Sequence, residues 1–273
     1  MGTHKRDKLK STLEAMPPGF MVDTPWLERQ GVSRFLARKY VDNGWLERVN
    51  RGVFRRPTPQ TSSTKILDWE TCLLSVQHIM YYDVHVGGAT ALAQHGYAHY
   101  LHMGRNAPVW IYGTDMPGWI KKLSLNAPLV IRSTSLFADP ALGLTRDERG
   151  NGDILPRNWR LRASTPERAV MEMMDELPNH ETFHNLDMAF ESLTTLRPKV
   201  LSTLLHSCKK IKVTRLFFVF ADRHNHAWRK RLDPEEFNLG SGDRALVRGG
   251  RMHPRYRIMV PAEFEQKVGD YEA

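Results

Sequence analysis

The sequence predicts an α+β protein: a small winged helix-turn-helix module at residues 1–60, then a larger mixed α+β domain at residues 61–273. Three observations carry that expectation. The first sixty residues hold three short amphipathic segments, followed by two β-like stretches joined through Asn50-Arg51-Gly52. The segment PTPQTSST, from Pro57 to Thr64, is polar and proline-containing, as a linker is. Beyond it, helices and strands mix without the strict alternation of a parallel-sheet fold.

Each element has a local reason. Leu9, Leu13 and Met16 fall on one stripe of a short helix, which Pro17-Pro18-Gly19 ends. Asp23 or Thr24 caps a second helix with Pro25 in its first turn, and that helix should stop near Gly31. Ser33 caps a third, which Asn43-Gly44 terminates. The β-like stretches are Trp45–Val49 and Val53–Arg56.

After the linker, helices are expected over Ile66–Tyr81, over Ala89–His95 behind Gly87-Gly88, and from Ser164-Thr165-Pro166-Glu167 onward. Two more are expected over Phe183–Leu193 and Pro198–Ser207. Strands are expected at Val109–Tyr112, Leu129–Ser133, Trp159–Ala163 and Tyr256–Val260, with Val213–Ala221 as a further apolar, strand-like run. There is no internal repeat and no low-complexity tract.

Charge is segregated along the chain. Residues 1–60 hold twelve Lys/Arg against six Asp/Glu, and residues 205–260 hold thirteen against five, whereas residues 61–204 hold thirteen against fifteen. Two basic regions flanking a near-neutral middle are the footprint expected of a protein that binds a polyanion. Apolar runs such as LFFVFA at Leu216–Ala221 are far too short to span a bilayer, and the N-terminus has no signal-peptide pattern. Cys72 and Cys208 match no metal spacing, so a reduced, cytoplasmic protein is the simplest expectation.

The stretch GVSRFLARKYVDNGWLERVNRGVFRRP, Gly31 to Pro57, concentrates the first basic region. On a helix, Leu36, Ala37, Tyr40 and Val41 share one arc suited to packing, while Arg34, Phe35, Arg38, Lys39 and Asp42 share the opposite one. A helix-turn-helix presents this part of its recognition helix to the major groove, where Arg pairs with guanine and an aromatic ring meets a thymine methyl. Arg34, Phe35 and Arg38 are therefore expected to read bases. Lys39, Arg51, Arg55 and Arg56, with Arg48 on the same hairpin, are expected to hold phosphates.

Other clusters carry residue types capable of chemistry. His95, His99 and His102 have helical spacing for a metal, but Gly96 interrupts the helix. Asp222, His224 and His226 follow the apolar run and offer a metal or general-base site for a nuclease or nucleotide-processing enzyme. The opposing expectation is a solvated loop beside Arg223, Arg229, Lys230 and Arg231. Gly87-Gly88 matches neither a P-loop nor a dinucleotide fingerprint and reads as a tight strand-to-helix turn. GSGDRALVRGGRMHPRYR, with Arg244, Arg248 and Arg251, suits either a basic loop beside a hairpin or, together with Arg223, Arg229, Lys230 and Arg231, a second polyanion surface. No catalytic residue, metal or cofactor is assigned.

The Gly31–Pro57 stretch resembles the N-terminal winged helix of AbiEi-type antitoxins from bacterial type IV toxin–antitoxin systems. The resemblance continues through VGGATALAQHG (Val86–Gly96), STPERAVMEMMDELP (Ser164–Pro178) and LGSGDRALVRGGRMHPRYRIMVP (Leu239–Pro261). It implies a protein that represses its own operon by binding inverted repeats in its promoter DNA, with an N-terminal DNA-binding domain and a larger domain needed for antitoxicity. It also implies a nucleotidyltransferase-like toxin as functional partner, without a stable complex. Carried over, Ser33, Arg34 and Arg38 fall at recognition-helix positions and Arg51 and Arg55 at wing positions. A regulator with a ligand-sensing second domain is the remaining alternative.

Overall fold

A computed structural model describes residues 3–58, 66–97, 107–145 and 159–264. The fold is α+β. Its described residues form two compact units: one from residues 1–85, 113–131 and 146–162, the other from residues 86–112, 132–145 and 163–273.

The first unit begins with α1 (Thr3–Glu14), β1 (Met21–Asp23), α2 (Thr24–Arg29) and α3 (Arg34–Asp42), then β2 (Glu47–Asn50) and β3 (Val53–Arg55). The capping chemistry places the helices as the sequence predicts. Asp23 accepts from the Trp26 amide at the start of α2, and Ser33 accepts from the Leu36 amide at the start of α3. Gly44, with φ +72°, supplies the left-handed residue that ends α3. Trp26, Leu27, Ala37, Tyr40, Leu46 and Val53 are buried between these elements. Such burial contributes roughly 1.5–3 kcal/mol per large apolar side chain.

One strand was not legible. Met21–Asp23 pairs antiparallel with β3 (Met21 opposite Arg55, Asp23 opposite Val53), giving a three-stranded sheet of order β1-β3-β2. Three residues beside a proline turn carry no detectable period. The hairpin itself has a bulge between Arg48 and Asn50.

This unit also holds residues from beyond the linker, most of which lies outside the described residues. Helix α4 (Trp69–Leu74) runs into a π-helical turn at Ser75–Ile79. Ser75 Oγ accepts from the Met21 amide, and Arg29 donates to the Met80 carbonyl. Asp23 collects two further donors, the Tyr82 hydroxyl at 2.6 Å and the Trp119 indole at 3.3 Å. Burial, then the bond to Asp23, push the Tyr82 phenol well above its ordinary pKa. Trp159–Ala163, expected as a strand, makes only an isolated parallel bridge, between Ala163 and Val86, and residues 160–162 are held by side chains. Gln77 donates to the Arg162 carbonyl and accepts from its amide, and His78 meets the Arg160 carbonyl. An amide side chain replaces the strand ladder there.

A three-stranded sheet of order β4-β5-β6 comprises Val84–Val86, Val109–Gly113 and Leu129–Arg132. The second unit is mainly helical: α5 (Gly88–Leu92), α6 (Pro166–Glu176), α7 (Phe183–Ser192), α8 (Pro198–Ser207) and α9 (Ile211–His224), with a short hairpin of β7 (Arg251–Met252) and β8 (Met259–Val260). Helix α6 packs on α5, α7, α8 and α9. The apolar run at Val213–Ala221 is the buried heart of α9 and not a strand. Surrounded on every side, it needs no polar face, so its period is invisible. Burial pushes the Cys72 thiol, in α4, up to about 12, as suits an inert packing cysteine.

Behind Gly87-Gly88 lies a closed ionic network. Glu172 Oε2 accepts from the Gly88 amide at 2.9 Å and from Ser164 Oγ at 2.8 Å, while Oε1 accepts from Arg168 Nε at 2.7 Å. Arg168 donates onward to the Pro140 and Leu142 carbonyls. A Cβ at Gly87 would run into the Glu172 carboxylate and the Tyr112 ring. The glycine pair is thus a close-approach turn in the core.

Candidate nucleic-acid interface

Helix α3 and the β2–β3 hairpin enclose a groove of about 820 Å³. Arg34, Arg38, Arg48 and Arg51 line it, over a floor that includes Leu27, Val32, Ala37 and Phe54. Its position follows from the local sequence. Arg34, Ala37, Arg38 and Val41 recur every three or four residues, so one side of α3 faces the hairpin. The hairpin turn brings Arg51 back toward that face, and Thr24 fastens it by donating to the Gly52 carbonyl at 3.2 Å.

The guanidiniums of Arg38, Arg48 and Arg51 have no hydrogen-bond or ion-pair partner among the described residues, and all three side chains are exposed. Arg34 is held at one point, with Nε donating to Glu28 Oε1 at 3.2 Å. Asp42 also lines the groove. Four guanidiniums against one lining carboxylate leave the groove strongly positive, a concave cationic surface able to take a chain of phosphates or the edges of bases.

The remaining predicted residues separate into two groups. Phe35 stands outside the groove, 70% exposed, with Lys39 Nζ 4.8 Å from its ring centre. Ser33 spends its hydroxyl on the α3 cap. Arg55 and Arg56 are turned inward. Arg55 makes a two-pronged pair with Glu47, at 2.9 and 2.5 Å, directly across the hairpin. Arg56 donates to the Leu13 and Met16 carbonyls at the end of α1, the latter at 2.9 Å. Both guanidiniums serve the fold.

The clusters weighed for catalysis do not converge. His224 meets Asp187 at 2.7 Å, His226 meets the Phe190 carbonyl at 2.7 Å, and Asp222 accepts from Arg229 and from the Tyr256 hydroxyl. The three side chains have separate hydrogen-bond partners, and Asp222 and His224 lie in the last turn of α9 and not in the solvated loop expected there. His95 meets the Ser164 carbonyl, while His99 and His102 lie outside the described residues. Among the described residues no group of three His, Cys, Asp or Glu side chains could hold a metal ion.

The second basic region is partly consumed in the same way. Arg223 pairs with Asp187 and Arg229 with Asp222, and Arg215, which the sequence did not single out, donates to the Leu239, Gly242 and Arg257 carbonyls. Lys230, Arg231, Arg244, Arg248 and Arg251 are exposed. No helix among the described residues is long and apolar enough to cross a membrane.

The sequence reading missed Glu28 as the partner of Arg34 and the tie of Asn50 to Lys122, whose carbonyl accepts from the Asn50 amide at 3.0 Å. A separation of 72 residues leaves no local signal for that tie.

Two family models match the chain. One, described as transcriptional regulator, AbiEi antitoxin, type IV TA system, covers residues 106–261. The other, described as transcriptional regulator, AbiEi antitoxin N-terminal domain, covers residues 5–103. No curated protein matches. Among solved structures the chain is similar to a crystal structure of the RV2827C protein from Mycobacterium tuberculosis, at 17% identity over 93% of this chain and 90% of that one, with a TM-score of 0.54. That likeness concerns the fold.

Proposed function

This chain belongs to the AbiEi antitoxin family, the transcriptional regulators of type IV toxin–antitoxin systems, and we propose that it binds duplex DNA upstream of its own operon through the groove between α3 and the β2–β3 hairpin. Residues 1–60 act as a winged helix-turn-helix and residues 61–273 as the domain that opposes the toxin, a nucleotidyltransferase-like protein met in the cytoplasm without a stable complex. The protein is a regulator and not a catalyst.

The observation that carries this reading is the set of four arginines lining one concave surface, three of whose guanidiniums have no partner among the described residues. Arg34 and Arg38 sit on the helix that would enter the major groove and read bases, with Phe35 beside them for a thymine methyl. Arg48 and Arg51 sit on the wing and hold phosphates. Lys39 covers Phe35 and adds a further cation on the same helix. Arg55 and Arg56 are left out of the contact set because their guanidiniums are already bonded inside the module.

A salt-titrated gel shift on the native upstream fragment and on a shuffled duplex of equal length tests the proposal. Preference for the native fragment that persists at about 150 mM salt, where purely electrostatic binding fades, is the expected result. Equal, salt-sensitive binding to both would sink the autorepressor reading. Growth rescue on co-expression with the adjacent toxin gene tests the antitoxin half.

A further inference from the structure

The winged-helix module is not the only part of its compact unit that presents cations beside the hairpin. Residues 119–126 return to this unit from beyond the linker and are tied to it along their length. The Trp119 indole donates to Asp23, the residue that caps α2. Asn50, the last residue of β2, donates through its side-chain amide to the Lys122 carbonyl at 3.0 Å. Leu125 forms a parallel bridge with Leu67, and Asn126 donates to Asp68. Between these ties runs a 3-10 turn, Ile120–Lys122, whose Ile120 is 1% exposed and therefore roots the turn in the core.

That turn carries Lys121 and Lys122 to the surface, where both are exposed and neither ammonium has a partner among the described residues. The Lys122 backbone touches Asn50, and Arg51 is the next residue of the hairpin turn. Two unpartnered cations therefore stand next to the tip expected to lie along the DNA backbone. Their backbone is fixed from both sides, so little chain entropy is lost when they meet a phosphate.

We propose that Lys121 and Lys122 form an accessory phosphate-binding site, extending the DNA contact from the wing tip onto flanking backbone that the winged helix alone does not reach. The inference rests on the DNA-binding reading above. Its ligand is the phosphodiester backbone of duplex DNA, and its contribution carries no sequence information.

The test uses the full chain and the native upstream fragment, with affinity followed by fluorescence anisotropy as salt is varied. Each phosphate contact contributes about 0.9 to the slope of log affinity against log salt. The Lys121→Gln/Lys122→Gln double variant should lose about 1.8 of that slope while keeping the wild-type ratio between native and shuffled duplexes. The Lys121→Arg/Lys122→Arg variant should restore the slope. An unchanged slope in the Gln pair overturns the proposal, and so does an Arg pair that behaves like the Gln pair. A fall in the native-to-shuffled ratio also overturns it, because the lysines would then be acting on base readout through the hairpin. Failure of the wild-type protein to prefer its upstream fragment is a separate outcome, which removes the function reading itself.

Discussion

Arg34 Nε donates to Glu28 Oε1 at 3.2 Å, six residues back and on the preceding helix. Both side chains are open to solvent, so the pair contributes at most about 1 kcal/mol to stability. Its geometric effect is larger than its energy. The carboxylate engages Nε and leaves both Nη groups without a partner among the described residues, the donors that a guanine edge could accept from.

Glu28→Ala therefore has two opposed effects. Removing a negative charge beside the groove should strengthen binding to any duplex. Freeing the Arg34 side chain should lower the preference for the native fragment over a shuffled one, by roughly tenfold, about 1.4 kcal/mol of discrimination. Dissociation constants on the two duplexes decide it. If the ratio holds while both affinities rise, Glu28 is only a repulsive charge.

Arg51 and Arg55 should part company, although the sequence gives them equal standing on the hairpin. Arg51→Ala should flatten the salt slope by about 0.9 and leave the melting temperature unchanged. Arg55→Ala breaks the Glu47 pair and should cost about 1 kcal/mol of stability or less, with no change in slope. Thermal unfolding and salt titration on the two variants give a crossed pattern. A slope change in Arg55→Ala without loss of stability would restore it to the DNA surface.

Gly87→Ala should be severely destabilising, because its methyl group would occupy space held by the Glu172 carboxylate and the Tyr112 ring. Glu172→Gln should cost on the order of 3–5 kcal/mol, since it leaves the Arg168 guanidinium buried without its counter-charge. Chemical denaturation reads both. A loss below about 1 kcal/mol in either would mean that this network is not what holds α5 against α6.

Glu167 sets an acid limit. Burial raises its pKa, but hydrogen bonds from the Arg197 side chain and amide outweigh burial and hold it below the ordinary glutamate value. A carboxylate depressed in the folded state contributes stability that is fully present above its unfolded pKa and is lost as pH falls through the folded one. Unfolding free energy should therefore decline on acidification below the ordinary glutamate range, near pH 4.5. The Glu167→Gln variant should show a shallower decline. An identical pH profile would assign the acid lability to other carboxylates.

How much of this was legible beforehand depended on the range of the interaction. Capping is local, and Asp23, Ser33 and Gly44 set the ends of α2 and α3 where the sequence predicts them. The outward placement of Arg34, Phe35, Arg38 and Lys39 followed from helical period alone. The inward turn of Arg55 and Arg56 did not, since nothing in the hairpin sequence says that Glu47 lies opposite the one and the end of α1 beneath the other. The α9 run misled for a related reason. Phe217, Phe218 and Phe220 favour strands by propensity, and the packing of α6 and α7 overrides it.

Asp23 joins parts of the chain that lie far apart in sequence. Its carboxylate starts α2, yet two of its donors, Tyr82 and Trp119, lie beyond residue 60. A fragment cut at the linker would keep every residue proposed to read bases and lose two of the donors that hold the capping carboxylate of α2, the helix that precedes theirs. Anyone grafting this module onto another protein should therefore move the cut to keep Tyr82 and Trp119, or accept a reader whose grip on DNA says little about the intact chain.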